Sequence, residues 1–258
     1  MRVGIIGGGV AGLAAAYHLT KQGHFAEVFE QAGFLGGQAS TFDVFGGRLE
    51  RGYHHLFVSD TEITELIDEL GLGDKLAWLE SSVGFYHGGT IWDFASPMDL
   101  LRFKPLPLLS RLRVGLWTLL LQKTKSYRKF EGVTAKNWLS RRMGRKGYEV
   151  IWEPLLRGKF GEFYDKIGMT WIWNKVVLRV ASRKGTGQKE HLGYPMGSFG
   201  EVIDYLTVVI ERQGGVVHTS ATVTKIVDSD GPATSLDVQL SGGTTERRDY
   251  DAIIATTP

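Results

Sequence analysis

The sequence predicts an α/β protein whose parallel sheet opens with a βαβ unit and into which a mixed α+β domain is inserted. Three successive segments predict this opening. A short apolar run, Val3 to Ile6, has the length and composition of a buried parallel strand. A glycine-rich turn and a helical pattern from Leu13 to Gln22 follow it, and Gly23 is placed to end that helix. A second apolar run, Ala26 to Phe29, completes the unit.

The turn after the first strand has the pattern G-x-G-x-x-G, formed by Gly7, Gly9 and Gly12, with Val10 and Ala11 before the last glycine. The first glycine permits a tight turn, and the second lets backbone N–H groups approach a pyrophosphate. The third lets the helix pack closely on the strand. Because the N-terminus of that helix favours negative charge, the pattern predicts a Rossmann-like, dinucleotide-binding domain.

The second strand ends in Glu30, 18 residues after Gly12. This spacing is close to that of the carboxylate that accepts hydrogen bonds from a ribose 2′-OH in dinucleotide-binding domains. A carboxylate repels a 2′-phosphate, so NADP is disfavoured. Gln31 follows directly and is included among the candidate cofactor-binding residues.

A second glycine-rich group, Leu35-Gly36-Gly37 with Ser40 and Thr41, follows Glu30, and the two groups together resemble the FAD-binding opening of the amine oxidase superfamily. This superfamily includes amine oxidases, protoporphyrinogen oxidase and phytoene-desaturase-like enzymes. The resemblance implies FAD as the cofactor, with Gly36, Gly37 and Gln38 beside it. The superfamily's second signature has basic residues at two positions, which are Phe34 and Gln38 here; Gln38 can donate a hydrogen bond but carries no charge. Besides the first glycine loop and Glu30, the residues that carry the resemblance are Gly23, His24, Leu35, Gly36, Gly37, Ser40 and Thr41.

The resemblance also implies that the segment after residue 51 runs beside the isoalloxazine ring. Tyr53, His54 and His55 lie there and are candidates for the reacting face, with purely structural histidines as the alternative. Neighbouring residues of an extended chain point to opposite faces and no carboxylate-bearing helix accompanies the histidines, so no metal site is expected. Lys159 is the fourth candidate, because a lysine in such an enzyme can hold a water near the flavin; the alternative is a surface charge beside a turn.

Cysteine is absent from the 258 residues, which excludes disulfides, thiolate metal sites, cysteine nucleophiles and cysteinyl-linked flavin. Arg2 leads directly into the first strand, so a signal peptide is not expected, and no apolar run reaches the length of a membrane span. A cytoplasmic protein is therefore expected, with peripheral attachment to a membrane left open. The sequence does not indicate an oligomeric state.

The segment 102–146 carries 13 Lys and Arg against a single acid, Glu131, although the net charge of the whole chain is only +2. A predicted helix from Leu108 to Lys123 lies in it and interleaves leucines with basic residues. Such a helix suits peripheral contact with an anionic membrane, and it equally suits a domain helix with a solvated face. Nucleic acid is not an expected partner, because no base-reading module accompanies these charges.

Hydrophobic periodicity and turn residues predict the remaining elements. Hairpins are expected within 41–51, around Gly46-Gly47, and within 83–94, turning at Gly88-Gly89. Helices are expected over 59–70, 108–123, 134–143, 148–156 and 201–213, a helix or strand over 171–180, a loop over 154–161, and strands over 216–218, 222–227, 236–240 and 249–255.

The predicted domain organisation is a first part of the FAD-binding domain over 1–82, a substrate domain over 83–194, and a second part of the FAD-binding domain over 195–258. In the second part, the resemblance implies that the strand near Val223 supplies main-chain contacts to adenine. Members of the superfamily continue with more substrate domain and a final flavin-gripping segment. The resemblance therefore implies either the first part of a longer enzyme or a short relative whose flavin site is completed otherwise.

The expected function is that of an FAD-dependent oxidoreductase that removes hydride from a C–N or C–C bond of an apolar small molecule. No G-x-S-x-G, P-loop or zinc motif points to another chemistry. Three alternatives stay open: a non-redox, flavin-dependent nucleotide-sugar mutase, an inactive fragment or binding module, and an NAD-only dehydrogenase. The pair Gly36-Gly37 argues against the last of these.

Overall fold

The computed structural model describes residues 1–181, 190–228 and 234–257, and this part contains fourteen strands and nine α-helices. The strands are β1 (Arg2–Ile6), β2 (Phe25–Phe29), β3 (Thr41–Val44), β4 (Gly47–Glu50), β5 (Leu56–Phe57), β6 (Leu76–Glu80), β7 (Gly84–His87), β8 (Thr90–Asp93), β9 (His191–Pro195), β10 (Val216–His218), β11 (Thr222–Asp228), β12 (Thr234–Gln239), β13 (Thr245–Tyr250) and β14 (Ala252–Ala255). The helices are α1 (Val10–Lys21), α2 (Thr61–Glu69), α3 (Pro97–Arg102), α4 (Leu108–Gln122), α5 (Ala135–Arg142), α6 (Arg145–Gly147), α7 (Glu153–Phe160), α8 (Met169–Ala181) and α9 (Phe199–Arg212).

The chain divides into two compact units. Unit 1 comprises Met1–His55, Glu62–Ala77 and Tyr194–Pro258, and unit 2 comprises Leu56–Thr61 and Trp78–Gly193. The divisions after Ala77 and Gly193 lie within a few residues of the domain boundaries at 82/83 and 194/195 predicted from the sequence. Pro258, the last residue of the predicted third segment, lies outside the described residues.

Unit 1 is built on a four-stranded parallel sheet with the strand order β10-β2-β1-β14. Strand β1 lies in the interior of this sheet, pairs with β2 from Arg2↔Phe25 to Ile6↔Phe29, and pairs on its other side with β14. Ile5 and Leu13 are fully buried, because β1 and the facing side of α1 are both apolar. The α/β class and the βαβ opening are thereby confirmed.

An antiparallel sheet of three strands, β11-β12-β13, forms the second layer of unit 1. Its apolar side contributes Leu236, Val238 and Tyr250 to a core cluster that also contains Phe29 at the end of β2. The carboxylate of Glu27, on β2, is buried there and accepts hydrogen bonds from Tyr250 Oη at 2.7 Å and His218 Nε2 at 2.8 Å, and it pairs with Arg248. Residues far apart in sequence therefore join the two sheets of unit 1 around one buried charge.

This buried carboxylate predicts an acid-dependent contribution to stability. Burial raises the pKa of Glu27, but the hydrogen bonds from Tyr250 and His218 and the charge of Arg248 outweigh it and hold the pKa below its ordinary value of 4.5. A lowered pKa means that the stabilisation is complete above the unfolded-state pKa and is lost as the pH falls through the folded-state pKa. In thermal unfolding, the difference in Tm between the wild type and Glu27→Gln should be constant near neutral pH and shrink below pH 4.5. A difference that stays constant down to pH 3 would contradict this assignment.

Unit 2 is mainly helical and has its own core. Helices α4, α5, α7 and α8 contribute fully or nearly fully buried side chains to one cluster, to which Phe103 and Phe130 also belong. The β7–β8 hairpin packs on this cluster through Phe85 and Trp92, both of which meet Phe103 edge to face. The predicted hairpin turn at Gly88-Gly89 is confirmed, with φ values of 59° and 78° that suit glycine.

Two local predictions are wrong. The segment 154–161 is not a loop, because α7 runs over Glu153–Phe160, directly after a π-helical turn at Tyr148–Trp152; Pro154 lies in the first turn of α7. The segment 249–255 is not one strand, because β13 ends at Tyr250 and β14 begins at Ala252. Asp251 turns the chain between them, and its carboxylate accepts a hydrogen bond from the backbone N–H of Arg2 at 2.6 Å.

The longest helix of the described part, α4, has 15 residues. At a rise of about 1.5 Å per residue it is shorter than the roughly 30 Å hydrocarbon core of a bilayer. None of the helices in residues 1–181, 190–228 and 234–257 combines the length and apolarity that a membrane span requires.

Candidate dinucleotide-binding site

The glycine loop closes tightly between β1 and α1. Gly7 turns the chain at a φ of 105°, and the hydroxyl of Thr256, just after β14, donates to the backbone carbonyls of Ile6 and Gly7 at 3.0 and 3.3 Å. A Cβ at Gly12 would lie 1.9 Å from the carbonyl oxygen of Gly7. Any side chain at position 12 would therefore push α1 away from the loop, which is the close packing that the motif predicts.

Helix α1 begins at Val10 with its N-terminus accessible. Gly9 is the N-cap residue, no side chain caps the helix, and its first turn contains no acidic residue. Val10 and Ala11 are exposed. The first N–H groups of a helix have no partner within it, so this end can accept a phosphate charge without displacing a protein group.

The second glycine pair lies directly against this loop. Gly36 donates its N–H to the carbonyl of Gly8 at 2.8 Å, and Gly9 and Gly36 form an isolated parallel bridge. Gly37 has a φ of 56°, and a Cβ there would lie 3.1 Å from the Cα of Gly9. The glycine loop and the pair Gly36-Gly37, neither of which has side chains in the way, thus line one cradle at the N-terminus of α1. The residues present therefore fit a dinucleotide pyrophosphate.

Glu30 is held in place by the loop itself. Its Oε2 accepts from the N–H of Gly8 at 2.8 Å and its Oε1 accepts from the N–H of Ala32 at 2.9 Å. Each carboxylate oxygen has a second lone pair, so Glu30 can still accept from a ribose hydroxyl. The side chains of its neighbour Gln31 and of Gln38 in the second loop are exposed.

Backbone hydrogen bonds bring the start of β11 to the same region. The N–H of Glu30 donates to His218, and the N–H groups of Ala221 and Ser220 donate to Glu30 and Ala32, all at 2.9 Å. Val223 follows two residues later, half-buried and opposite Val238 of β12. The predicted adenine-side residue therefore lies on the strand that leads away from Glu30.

Three of the four candidates for the reacting face lie together in unit 1. Tyr53 is exposed and its ring stacks on that of His55 at 6.3 Å. His54 points its Nδ1 at the carbonyl oxygen of Gly52, at 2.5 Å, and its ring meets Phe199 edge to face. Lys159 lies on α7 of unit 2, with its ammonium group 6.0 Å from the centre of the Trp171 ring.

Two residues beside the second glycine loop, Arg51 and Glu50, were not predicted as site residues from the sequence. The guanidinium group of Arg51 lies 4.5 Å from the centre of the Phe34 ring, so a positive charge stands next to a position that is basic in the superfamily signature. Glu50 accepts from the N–H of Phe199 at 2.8 Å and from Tyr194 Oη, and it thereby fixes the start of the Tyr53–His55 segment. Burial and the hydrogen bond to Glu50 raise the pKa of Tyr194 to about 12, so this phenol remains a donor at neutral pH. In the sequence, only the charges of Arg51 and Glu50 mark them as candidate site residues, because their partners are distant along the chain.

Replacing Gly9 should weaken cofactor binding without affecting the folding of the chain. A Cβ at this position would meet only the Cα of Gly37, at 3.8 Å, and the φ of −74° is accessible to alanine. Gly9→Ala should therefore fold with an unchanged Tm and bind FAD about tenfold more weakly, a loss near 1.4 kcal/mol, because a methyl group occupies the phosphate approach. Fluorescence titration with FAD and thermal unfolding measure the two quantities. An unchanged dissociation constant would place the pyrophosphate elsewhere.

Comparisons with known proteins agree with this geometry. The family model described as flavin containing amine oxidoreductase matches residues 10–258. The chain is 29% identical over 172 residues to mitochondrial protoporphyrinogen oxidase of Nicotiana tabacum, covering 65% of this chain and 34% of the relative. It is 32% identical over 121 residues to 15-cis-phytoene desaturase of Narcissus pseudonarcissus, covering 46% and 20%.

Solved structures share the fold. An oxidoreductase from Methanosarcina mazei superposes with a TM-score of 0.73 at 20% identity, over 99% of this chain and 58% of its own. A triple mutant of putrescine oxidase superposes with a TM-score of 0.74 at 17% identity, over 100% of this chain and 58% of its own.

The chain spans about a third of the length of the first curated relatives that it matches, 34% and 36%. Its family match nevertheless covers almost all of its own residues, from the first turn of α1 onward. The same match includes Glu30, the second glycine pair and the β11–β14 region. The chain belongs to the flavin containing amine oxidoreductase family.

Proposed function

We propose that this protein is an FAD-dependent oxidoreductase that removes hydride from a C–N or C–C bond of an apolar small molecule. The observation that carries the proposal is the double-glycine cradle, in which Gly9 and Gly37 approach backbone to backbone at an uncapped helix N-terminus. The family match supports a flavin as the ligand of that cradle. When bound, FAD supplies a hydride acceptor at its isoalloxazine ring.

The chain's own residues have distinct roles in this proposal. The N–H groups at the start of α1 and around Gly37 bind the pyrophosphate, and Glu30 orients the adenosine ribose. The side chain of Gln38 is exposed beside Gly37 and Arg51 lies over the Phe34 ring, so both can donate hydrogen bonds near the second glycine pair. Arg51 thereby supplies a positive charge near the loop, where Phe34 and Gln38 carry none.

His54 is the candidate that can hold a proton at a definite atom. The carbonyl oxygen of Gly52 only accepts hydrogen bonds, so Nδ1 of His54 is the donor in their 2.5 Å contact. In the neutral ring this leaves Nε2 as an acceptor. His54 is therefore suited to accept a hydrogen bond or a proton from a substrate group, whereas Tyr53 offers an exposed aromatic ring that stacks on the half-buried His55.

The choice between C–N and C–C oxidation is the finer part of the proposal. The curated relatives named above include an oxidase and a desaturase, and solved structures of the same fold include a putrescine oxidase and a fatty acid isomerase. The likeness to solved structures is below 25% identity and concerns the fold alone. The preference for an apolar substrate comes from the aromatic and leucine content of the middle segment.

Anaerobic flavin reduction tests the proposal. The FAD-loaded protein would be mixed with a set of amines and, separately, with apolar compounds that contain saturated C–C bonds next to double bonds. Bleaching of the visible flavin bands by one class is the expected result, and it identifies the bond that is oxidised. Product formation without an electron acceptor and without net bleaching would favour a non-redox isomerase or mutase and overturn the oxidoreductase assignment.

A further inference from the structure

Helix α4 of unit 2 presents a wide apolar face that no described residue covers. Its buried side packs into the core through Val114 and Leu121, which are 3% and 1% exposed. The opposite side carries six leucines that are 42–81% exposed, and we call this set the leucine face: Leu108, Leu109, Leu112, Leu116, Leu119 and Leu120.

The six leucines form one continuous surface. At about 100° per residue they fall within an arc of about 120° on the helical wheel, and no polar residue of α4 lies inside that arc. The adjacent helix α3 adds Met98 and Leu101, which are also exposed. A helix that is apolar both towards its core and on such a wide outer stripe is unusual for a solvated domain surface.

Exposed positive charges border this face. Lys104 precedes α4 in the chain, and Lys123, Lys125, Arg128 and Lys129 follow its last turn. All five side chains are exposed, and none of them forms an ion pair with a residue that the structure describes. Their charges are therefore available to an external anion.

A basic pocket opens beside the most exposed leucine. It has a volume of about 310 Å³, and its lining includes Leu109, Arg113, Arg145 and Lys146. The guanidinium group of Arg113 is fixed there, because its Nε and Nη2 donate to the carbonyls of Arg142 and Arg141 at 2.6 and 2.7 Å. Arg145 Nε donates to Glu149 at 2.6 Å, whereas Lys146 forms no ion pair with a residue that the structure describes. Such a pocket can hold a phosphate group while the neighbouring leucine remains in an apolar layer.

We propose that the leucine face and the basic pocket dock unit 2 on an anionic phospholipid surface. Burial of the leucines among acyl chains and attraction of the flanking cations by phosphate headgroups would act together. A second copy of the chain fits less well as the occupant, because docking two leucine faces would bring two sets of unpaired cations together. Contact with a single partner, the membrane, accounts for both the leucine face and the basic residues that border it.

Vesicle co-sedimentation tests this docking. The 258-residue chain should bind vesicles of phosphatidylcholine with 30% phosphatidylglycerol and bind pure phosphatidylcholine at least tenfold more weakly. The triple variant Leu109→Gln, Leu112→Gln, Leu116→Gln should lose at least tenfold in affinity for the anionic vesicles. The matched control Leu79→Gln, Ile91→Gln, Leu155→Gln, in which the three side chains are 58%, 74% and 47% exposed and lie elsewhere in unit 2, should bind like the wild type.

A charge variant completes the test. Arg145→Gln with Lys146→Gln should weaken binding to anionic vesicles several-fold and reduce its salt dependence, whereas Arg212→Gln with Lys225→Gln, on exposed sites of unit 1, should not. Circular dichroism and the Tm verify that each variant is folded. Absent binding to anionic vesicles would overturn the proposal, as would equal binding by the leucine triple variant. Concentration-dependent self-association that this variant abolishes would assign the face to a second copy instead.

Discussion

Gly12→Val should weaken FAD binding strongly and destabilise unit 1. The Cβ of any residue at position 12 would lie 1.9 Å from the carbonyl oxygen of Gly7, and that oxygen belongs to backbone that cannot rotate away. The valine must therefore push α1 from β1 or distort the loop that ends the strand. Overpacking of this kind costs about 3 kcal/mol or more, and displacement of the helix N-terminus should weaken FAD binding by roughly 100-fold.

Thermal unfolding and FAD titration measure both effects, and two other glycines provide comparisons. Gly33→Ala, whose Cβ would meet only Ser220 Oγ at 3.5 Å, should leave stability and binding close to the wild type. Gly9→Ala should change binding alone. If Gly12→Val bound FAD like the wild type, α1 would not need to approach the loop as closely as the structure requires.

Glu27→Ala should give a large loss of stability in unit 1. The Glu27 side chain is 5% exposed, and its removal leaves the hydroxyl of Tyr250 without its acceptor and Arg248 with Glu246 as its remaining carboxylate partner. Removing one partner of a buried charge pair costs about 3–5 kcal/mol. For a chain of this size that corresponds to a decrease in Tm of roughly 10 °C.

Two further variants distinguish the contribution of the buried Glu27 network to stability from that of an exposed ion pair. Tyr250→Phe removes a single hydrogen bond and should cost about 1–3 kcal/mol, less than Glu27→Ala. Glu149→Gln breaks the exposed i,i+4 pair with Arg145 and should leave the Tm unchanged. A Glu27→Ala protein as stable as Glu149→Gln would mean that the network does not join the sheets of unit 1.

The first forty residues could be predicted well because their signals are local. The turn glycines, the apolar runs and the helix stop all lie within a few residues of the structure that they specify, and β1, α1 and β2 were located within three residues at each end. The same holds for the hairpin at Gly88-Gly89, where the turn residues determine the register, and for the hairpin expected around Gly46-Gly47, although its turn is formed by Phe45 and Gly46. The family resemblance implied that Gly36 and Gly37 lie beside the cofactor, whereas their approach to Gly9 is seen only in the structure.

The remainder depends on contacts between distant residues. Glu27 meets partners at positions 218, 248 and 250, and no pattern within β2 indicates that its one acidic residue is buried. The helical state of 157–160 was missed because Gly158 and Gly161 were interpreted as loop residues, although α7 continues to Phe160 and Gly161 follows its end. Arg51 beside Phe34 likewise requires the β3–β4 hairpin to fold back on the second glycine loop.

The visible absorption spectrum of the purified chain, followed by identification of the compound released on heating, tests the central claim most directly. The cradle formed by the glycine loop and Gly36-Gly37, together with Glu30, predicts flavin bands and the release of FAD, either directly or after reconstitution with added FAD. A colourless protein that takes up no FAD under any of these conditions would contradict the claim that these residues form the cofactor site.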